Sequence, residues 1–287
     1  MIREVPVRYV ITGAGSGIGR AVATLAAQAA GSDGAGTGPV RLALLDRDAE
    51  SITSVAAELR EIGAECLPQV VDLSDPAAAG KAVEEAVSVF GGLDTLVSNA
   101  GVSSVCALED LSLETYQRTF DVNTRATFVL AQAAFPALRD SRGSIVATAS
   151  ISATHPTPPL GMYSASKAAL KVMIQQMAVE WGRYGIRANC VSPGPTDTGL
   201  TRKSFGDPED AAARANRRYR EAVSPMRKIG RVEDIARAVL FLAGPQAGHI
   251  TGVDLPVDGG LSLAVMPLTG GTPGYRLDEI AQEATSR

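Results

Sequence analysis

Seven short, mostly apolar, β-prone runs alternate with alanine-rich stretches from the first residues to about Gly260, and this rhythm constrains the fold most. The runs are Val7–Thr12, Val40–Asp46, Glu65–Asp72, Thr95–Asn99, Ser144–Ala149, Arg187–Val191 and Gly252–Val257. Most are apolar almost throughout, the pattern of parallel strands covered on both faces. The stretches between them, such as Gly19–Ala30, Asp48–Ile62, Asp75–Phe90 and Ser164–Tyr184, read as helices. Repeated right-handed strand–helix–strand units predict an α/β fold with a doubly wound parallel sheet of seven strands and helices on both faces.

At 287 residues the chain is long enough for one large domain with a sizeable core. Residues 1–287 are expected to form that single domain, with a core over about 7–260. Three segments sit outside the rhythm: the glycine-rich loop Gly31–Pro39, a charged helix-prone insertion over 199–224, and an extension over 261–287 that starts apolar. A net charge of −4 offers no general attraction for nucleic acid or an anionic membrane. No apolar run reaches the roughly 18 residues of a membrane span. Cys66, Cys106 and Cys190 are widely spaced and suggest neither a disulfide framework nor a metal site. The start of the chain has no layout of a secretion signal, so a cytoplasmic location is expected.

Between the first strand and the first helix stands Thr12-Gly13-Ala14-Gly15-Ser16-Gly17-Ile18-Gly19. Glycines there let the backbone approach a pyrophosphate, and the helix N-terminus supplies amides and the positive end of its dipole. The spacing departs from the usual Gly-x-Gly-x-x-Gly fingerprint. Asp46 ends the second strand, where a carboxylate accepts hydrogen bonds from adenosine ribose hydroxyls and repels a 2′-phosphate. This favours NAD over NADP. Arg47 beside it is a phosphate ligand on one reading and a solvated or adenine-stacking residue on the preferred one.

Tyr163 and Lys167 lie four residues apart at the start of a helical segment, so they share a face. An ammonium beside a phenol lowers the phenol pKa from about 10, which makes the tyrosine usable as a base. Ser150, upstream at a strand end, can hydrogen-bond the oxygen that gains or loses the proton.

Together these residues resemble the short-chain dehydrogenase/reductase family from about Val7 to Gly260. The resemblance implies a Rossmann fold, with the turn Gly13, Ser16, Gly17, Ile18 and Gly19 as the family's own cofactor loop. It extends to Asp72 and Leu73 at the adenine, Asn99-Ala100-Gly101 after the fourth strand, and Asn123 in the helix that follows. Pro193, Gly194, Thr196 and Thr198 resemble the loop facing the nicotinamide, and Val257-Asp258-Gly259-Gly260 the closing strand. Asp46, Arg47, Tyr163 and Lys167 complete the implied cofactor contacts. The implied catalytic set is Asn123, Ser150, Tyr163 and Lys167: Ser150 holds the substrate oxygen, Tyr163 moves its proton, Lys167 lowers the Tyr163 pKa, and Asn123 completes a proton relay through an ordered water. Arg125 stands where the family often has glycine.

The expected activity is NAD-dependent interconversion of a secondary alcohol and a ketone, the small-molecule partner being cyclic, steroid-like or sugar-like. An NADPH-dependent reductase of 3-oxoacyl thioesters is the alternative, and a non-catalytic NAD-binding sensor a remote one. The resemblance also implies a homotetramer, or else a homodimer. Ser152 and His155 are candidate substrate contacts, with a turn residue and an exposed loop histidine as the plainer readings. His249 reads as structural, and Trp181 and Met173 as packing residues. Arg202, Lys203, Arg214, Arg217, Arg218 and Arg220 read as a solvated lid face or, more sharply, as contacts for an anionic substrate group.

Overall fold

A computed structural model describes residues 7–32, 39–103, 105–264, 268 and 276–286. Most of the loop Gly31–Pro39 and part of the extension therefore lie outside the described residues. Seven parallel strands form one sheet: β1 (Arg8–Thr12), β2 (Arg41–Asp46), β3 (Glu65–Val70), β4 (Thr95–Ser98), β5 (Ser144–Thr148), β6 (Arg187–Pro193) and β7 (Asp254–Val257). Their order is β3-β2-β1-β4-β5-β6-β7. The order reverses between β1 and β4, and ligands bind beyond the carboxyl ends of strands at such a switch point. β4 and β5 are buried at every residue, which is why their centres, Leu96-Val97 and Ile145-Val146-Ala147, are apolar. The edge strands β3 and β7 are less buried, and each carries a proline, Pro68 and Pro256, as edge strands tolerate.

Helices α1 (Gly17–Ser32), α2 (Ala49–Glu61) and α3 (Pro76–Phe90) follow the first three strands. Asp48 caps α2 by accepting from the amides of Glu50 and Ser51. Asp75 caps α3 in the same way, with Pro76 pre-setting the first turn. After β4 come α4 (Leu113–Phe120) and α5 (Ala126–Ser141), joined by a π-helical turn over Asp121–Arg125. Then follow α6 (Met162–Trp181), α7 (Ala211–Val223), α8 (Val232–Ala243) and α9 (Leu277–Ser286).

Two apolar layers cover the sheet. On one face Leu96, Leu130, Leu138, Ile145, Leu170 and Ile174 pack beneath α3, α5 and α6. On the other, Ile11, Leu42, Leu44, Ile52 and Val239 pack beneath α1, α2 and α8. Trp181 packs against Phe135, with ring centroids 4.9 Å apart, at the margin of the first layer. Met173 joins that layer too, so both residues serve packing. The extension packs on α7 through fully buried Ile280, which meets Ala222 and Val223 with Leu261 and Leu268 alongside. Among the described residues no helix is long and apolar enough to cross a membrane.

Candidate active site

The turn after β1 is shaped by close approach of its own backbone. A Cβ on Gly19 would lie 2.1 Å from the Gly13 carbonyl oxygen and 2.8 Å from Asn99 Nδ2, so only glycine lets α1 start there. Gly13 and Gly17 have φ of +65° and +53°, the region glycine enters at no steric cost. Thr12 ties this turn to β4: its hydroxyl accepts from the amides of Asn99 and Ala100 at 2.9 and 3.0 Å. Asn99 in turn donates to the Thr12 carbonyl and accepts from the Thr148 hydroxyl, locking the ends of β1, β4 and β5 together.

A cleft of about 490 Å³ opens on these strand ends. At one end stand Asp46, Arg47, Asp72 and Leu73; at the other, Ser150, Tyr163, Lys167, Pro193 and Gly194. Between them lie Gly13, Ser16, Gly17 and Ile18 on one side, and Asn99, Ala100 and Gly101 on the other. Thr196 and Thr198 close it from the loop after β6. Asp46 is half-buried, its carboxylate oriented by the amides of Gly15 at 2.9 Å and Asp48 at 3.1 Å. Asp72 is held below the usual carboxylate range by the amide and hydroxyl of Ser74, with Arg118 and Arg47 adding their positive charge. Gly194 packs against Asp258, whose Cβ would stand 2.7 Å from an added Cβ.

The glycine cradle at a helix N-terminus, the acidic strand end and the length of the cleft fit a nicotinamide dinucleotide. Gly19 is not on the cleft wall and acts by permitting the turn. Arg118, Val122, Leu200 and Thr201 line the cleft as well and were not foreseen. Arg118 and Val122 are four residues apart and share a face, but neither stands at helical spacing from Asn123, so no sequence signal marked them.

At the catalytic end, Tyr163 and Lys167 project from the first turns of α6, and Ser150 follows β5. The Ser150 hydroxyl lies beside the Tyr163 phenol and favours its ionised form. Lys167 is buried, and Nζ donates to the Thr148 carbonyl at 2.7 Å while standing 5.8 Å from the centre of the Tyr163 ring. The expected lowering of the phenol by Lys167 is therefore not what this geometry produces. Burial pushes the Tyr163 phenol up and the Ser150 hydroxyl partly offsets it, because the ammonium points at a carbonyl. Burial lowers Lys167 itself to about 8.

Asn123 is buried in the π-helical turn and faces Gly101 and Lys167 without lining the cleft. Its amide brackets Val102, accepting from the amide at 2.8 Å and donating to the carbonyl at 3.0 Å, and it donates to Ser166 Oγ at 3.0 Å. These bonds hold the strand end that carries Gly101. Ser152 and His155 also lie off the cleft wall. Ser152 is buried and donates its hydroxyl to Ser150 at 2.9 Å, whereas His155 is exposed. Most of the lid arginines are engaged inside the chain. Arg217 pairs with Asp197 and Glu221, Arg214 donates to the Pro208 carbonyl, and Arg220 stacks on Phe205. Arg125, in the glycine position, pairs with Asp121 and donates to the Ser74 carbonyl.

Comparison with known proteins agrees with this geometry. A family described as Enoyl-(Acyl carrier protein) reductase matches residues 13–262. L-rhamnose 1-dehydrogenase (NAD(P)(+)) of Sphingomonas sp. (strain SKA58) is 36% identical over 253 residues, covering 88% of this chain and 94% of that protein. A 2,3-dihydro-2,3-dihydroxybenzoate dehydrogenase of Bacillus subtilis (strain 168) is 36% identical over 262 residues, covering 89% and 95%. The crystal structure of levodione reductase superposes with a TM-score of 0.82 at 30% identity, covering 91% of this chain and all of that one. The chain belongs to the short-chain dehydrogenase/reductase family.

Proposed function

We propose that this protein is a nicotinamide-dependent oxidoreductase that interconverts a secondary alcohol and a ketone, with NAD preferred and a cyclic, polyhydroxylated substrate. The observation that carries the reading is the arrival of Ser150, Tyr163 and Lys167 at one end of a cleft whose middle is the glycine turn. When bound, the nicotinamide supplies the hydride chemistry. The protein's part is to bind, orient and move one proton. The Ser150 hydroxyl holds the substrate oxygen, and the Tyr163 phenol takes its proton during oxidation or returns it during reduction. Lys167, anchored on the Thr148 carbonyl, fixes a positive charge beside the phenol ring and would help hold the nicotinamide ribose. Asn123 steadies Gly101 and Val102 and would hold the ordered water through which Lys167 relays the proton to solvent.

The NAD preference is supported by Asp46, a carboxylate at the end of β2 that would repel a 2′-phosphate. Arg47 and Arg118 near Asp72 favour a phosphate, but neither removes that charge. The substrate class rests on the relatives, one acting on a sugar and the other on a cyclic dihydrodiol. Internal pairing of Arg214, Arg217 and Arg220 weakens the acyl-carrier reading. The proposal includes a cytoplasmic homotetramer, which would cover exposed Tyr116 and Phe128 on α4 and α5.

Fluorescence titration with NADH and NADPH tests the cofactor assignment. A panel of L-rhamnose, trans-1,2-cyclohexanediol and cyclohexanol tests the chemistry. The expected result is tighter NADH than NADPH binding, with NAD-dependent oxidation of at least one panel alcohol. Tighter NADPH binding would make Arg47 and Arg118 the determinants, and no turnover on the panel would reject the substrate class.

A further inference from the structure

Ser150 has a neighbour that the reading above does not use. Ser150 is extended, with φ −170° and ψ 152°, and its side chain caps the short turn Ile151–Ala153. The Ser150 Oγ accepts from the Ser152 amide at 3.2 Å and from the Ser152 hydroxyl at 2.9 Å. A serine hydroxyl has one proton to donate and two lone pairs to accept with. Both lone pairs are therefore filled from Ser152, and only the donor remains.

We propose that Ser152 is a positioning residue that fixes the polarity of Ser150, so that the Ser150 hydroxyl works solely as a donor and directs its one proton to the substrate oxygen. This deepens the catalytic reading and rests on it. The polarity matters because a serine with a vacant lone pair can also accept a hydrogen bond from a substrate alcohol, which turns that hydroxyl away from Tyr163. A hydroxyl that already accepts two hydrogen bonds is also a stronger donor, because chained hydrogen bonds polarise one another.

Ser152 is 4% exposed, and the turn that carries it is held from both sides. Ala153 donates its amide to the Ser150 carbonyl at 2.9 Å. One residue on, the Thr154 hydroxyl accepts from Lys171 Nζ at 2.9 Å, and Lys171 pairs with Asp254 of β7 at 3.1 Å. The charged and titratable groups around the phenol are few. Lys167 stands 5.8 Å from its ring on the same helix. Lys167 in turn faces Cys190 of β6, which has Lys171 and Asp254 beside it. None of these is altered by a change at Ser152.

The experiment compares wild type, Ser150→Ala, Ser152→Ala, Ser152→Thr and Ser152→Cys, using the panel alcohol with the highest kcat/KM and recording kcat/KM against pH. NADH binding checks that each variant is folded. Ser152→Ala is expected to lose about tenfold in kcat/KM. The limb on which oxidation rises with pH should move to higher pH, with NADH binding unchanged. Ser152→Thr restores both, and Ser152→Cys, a weak donor of similar size, falls between and serves should the alanine variant not fold. If Ser150→Ala is impaired while Ser152→Ala keeps the parental rate and limb, the proposal is wrong and the catalytic reading stands. If Ser150→Ala itself turns over at the parental rate, the catalytic reading fails and this inference with it.

Discussion

At the scale of single residues, the site places an ammonium where it is costly to keep. Lys167 is buried and titrates at about 8, below its ordinary value of 10.5, because burial penalises the charged form. The sign follows directly: the ammonium is complete well below pH 8 and is lost as pH rises through about 8. On the proposed mechanism, ketone reduction needs that charge together with a protonated Tyr163, which burial keeps protonated. Reduction should therefore fall above about pH 8, approaching tenfold per further pH unit. Lys167→Arg keeps a charge at all accessible pH values, at some cost in geometry, and should remove the limb. A pH profile of reduction by both proteins checks this; an unchanged limb in the arginine variant would assign it to another group.

Helices, strands and turns show which parts of the account were legible in the sequence. All seven strands were: burial on both faces makes central strands such as β4 and β5 mostly apolar, and the less buried edge strands β3 and β7 kept the same alternation with the helices. The cofactor turn was legible because glycine has a steric meaning there. Alanine at Gly19 would bring its Cβ to 2.1 Å from the backbone oxygen of Gly13, and no side chain can move aside to relieve it. Gly19→Ala should cost about 2 kcal/mol or more and weaken NADH binding severely. Gly182→Ala, where nothing lies within 4 Å, should stay within about 0.5 kcal/mol of wild type. Thermal melts with and without NADH separate the two, and equal behaviour would remove the steric argument. What the sequence did not disclose depends on distances between elements. The turn of Lys167 toward the Thr148 carbonyl is set by how α6 sits over β5. The π-helical turn that buries Asn123 has no composition signal, and the docking of Ile280 on α7 needs the lid helix in place first.

The molecule as a whole is a sheet whose switch point does the organising. Reversal of strand order between β1 and β4 leaves a cleft into which six strand ends deliver residues: Gly13, Asp46, Asp72, Asn99, Ser150 and Pro193. The parts known from sequence alone are those whose chemistry needs a fixed residue type at a strand end. The lid and the extension carry no such constraint. Everything the fold assembles converges on one oxygen atom, the phenol of Tyr163. The decisive measurement is turnover and NADH affinity of Tyr163→Phe, which removes that oxygen and leaves the ring. The account predicts a loss of at least about a hundredfold in kcat with NADH affinity within about twofold of wild type. Parental turnover in that variant would contradict it.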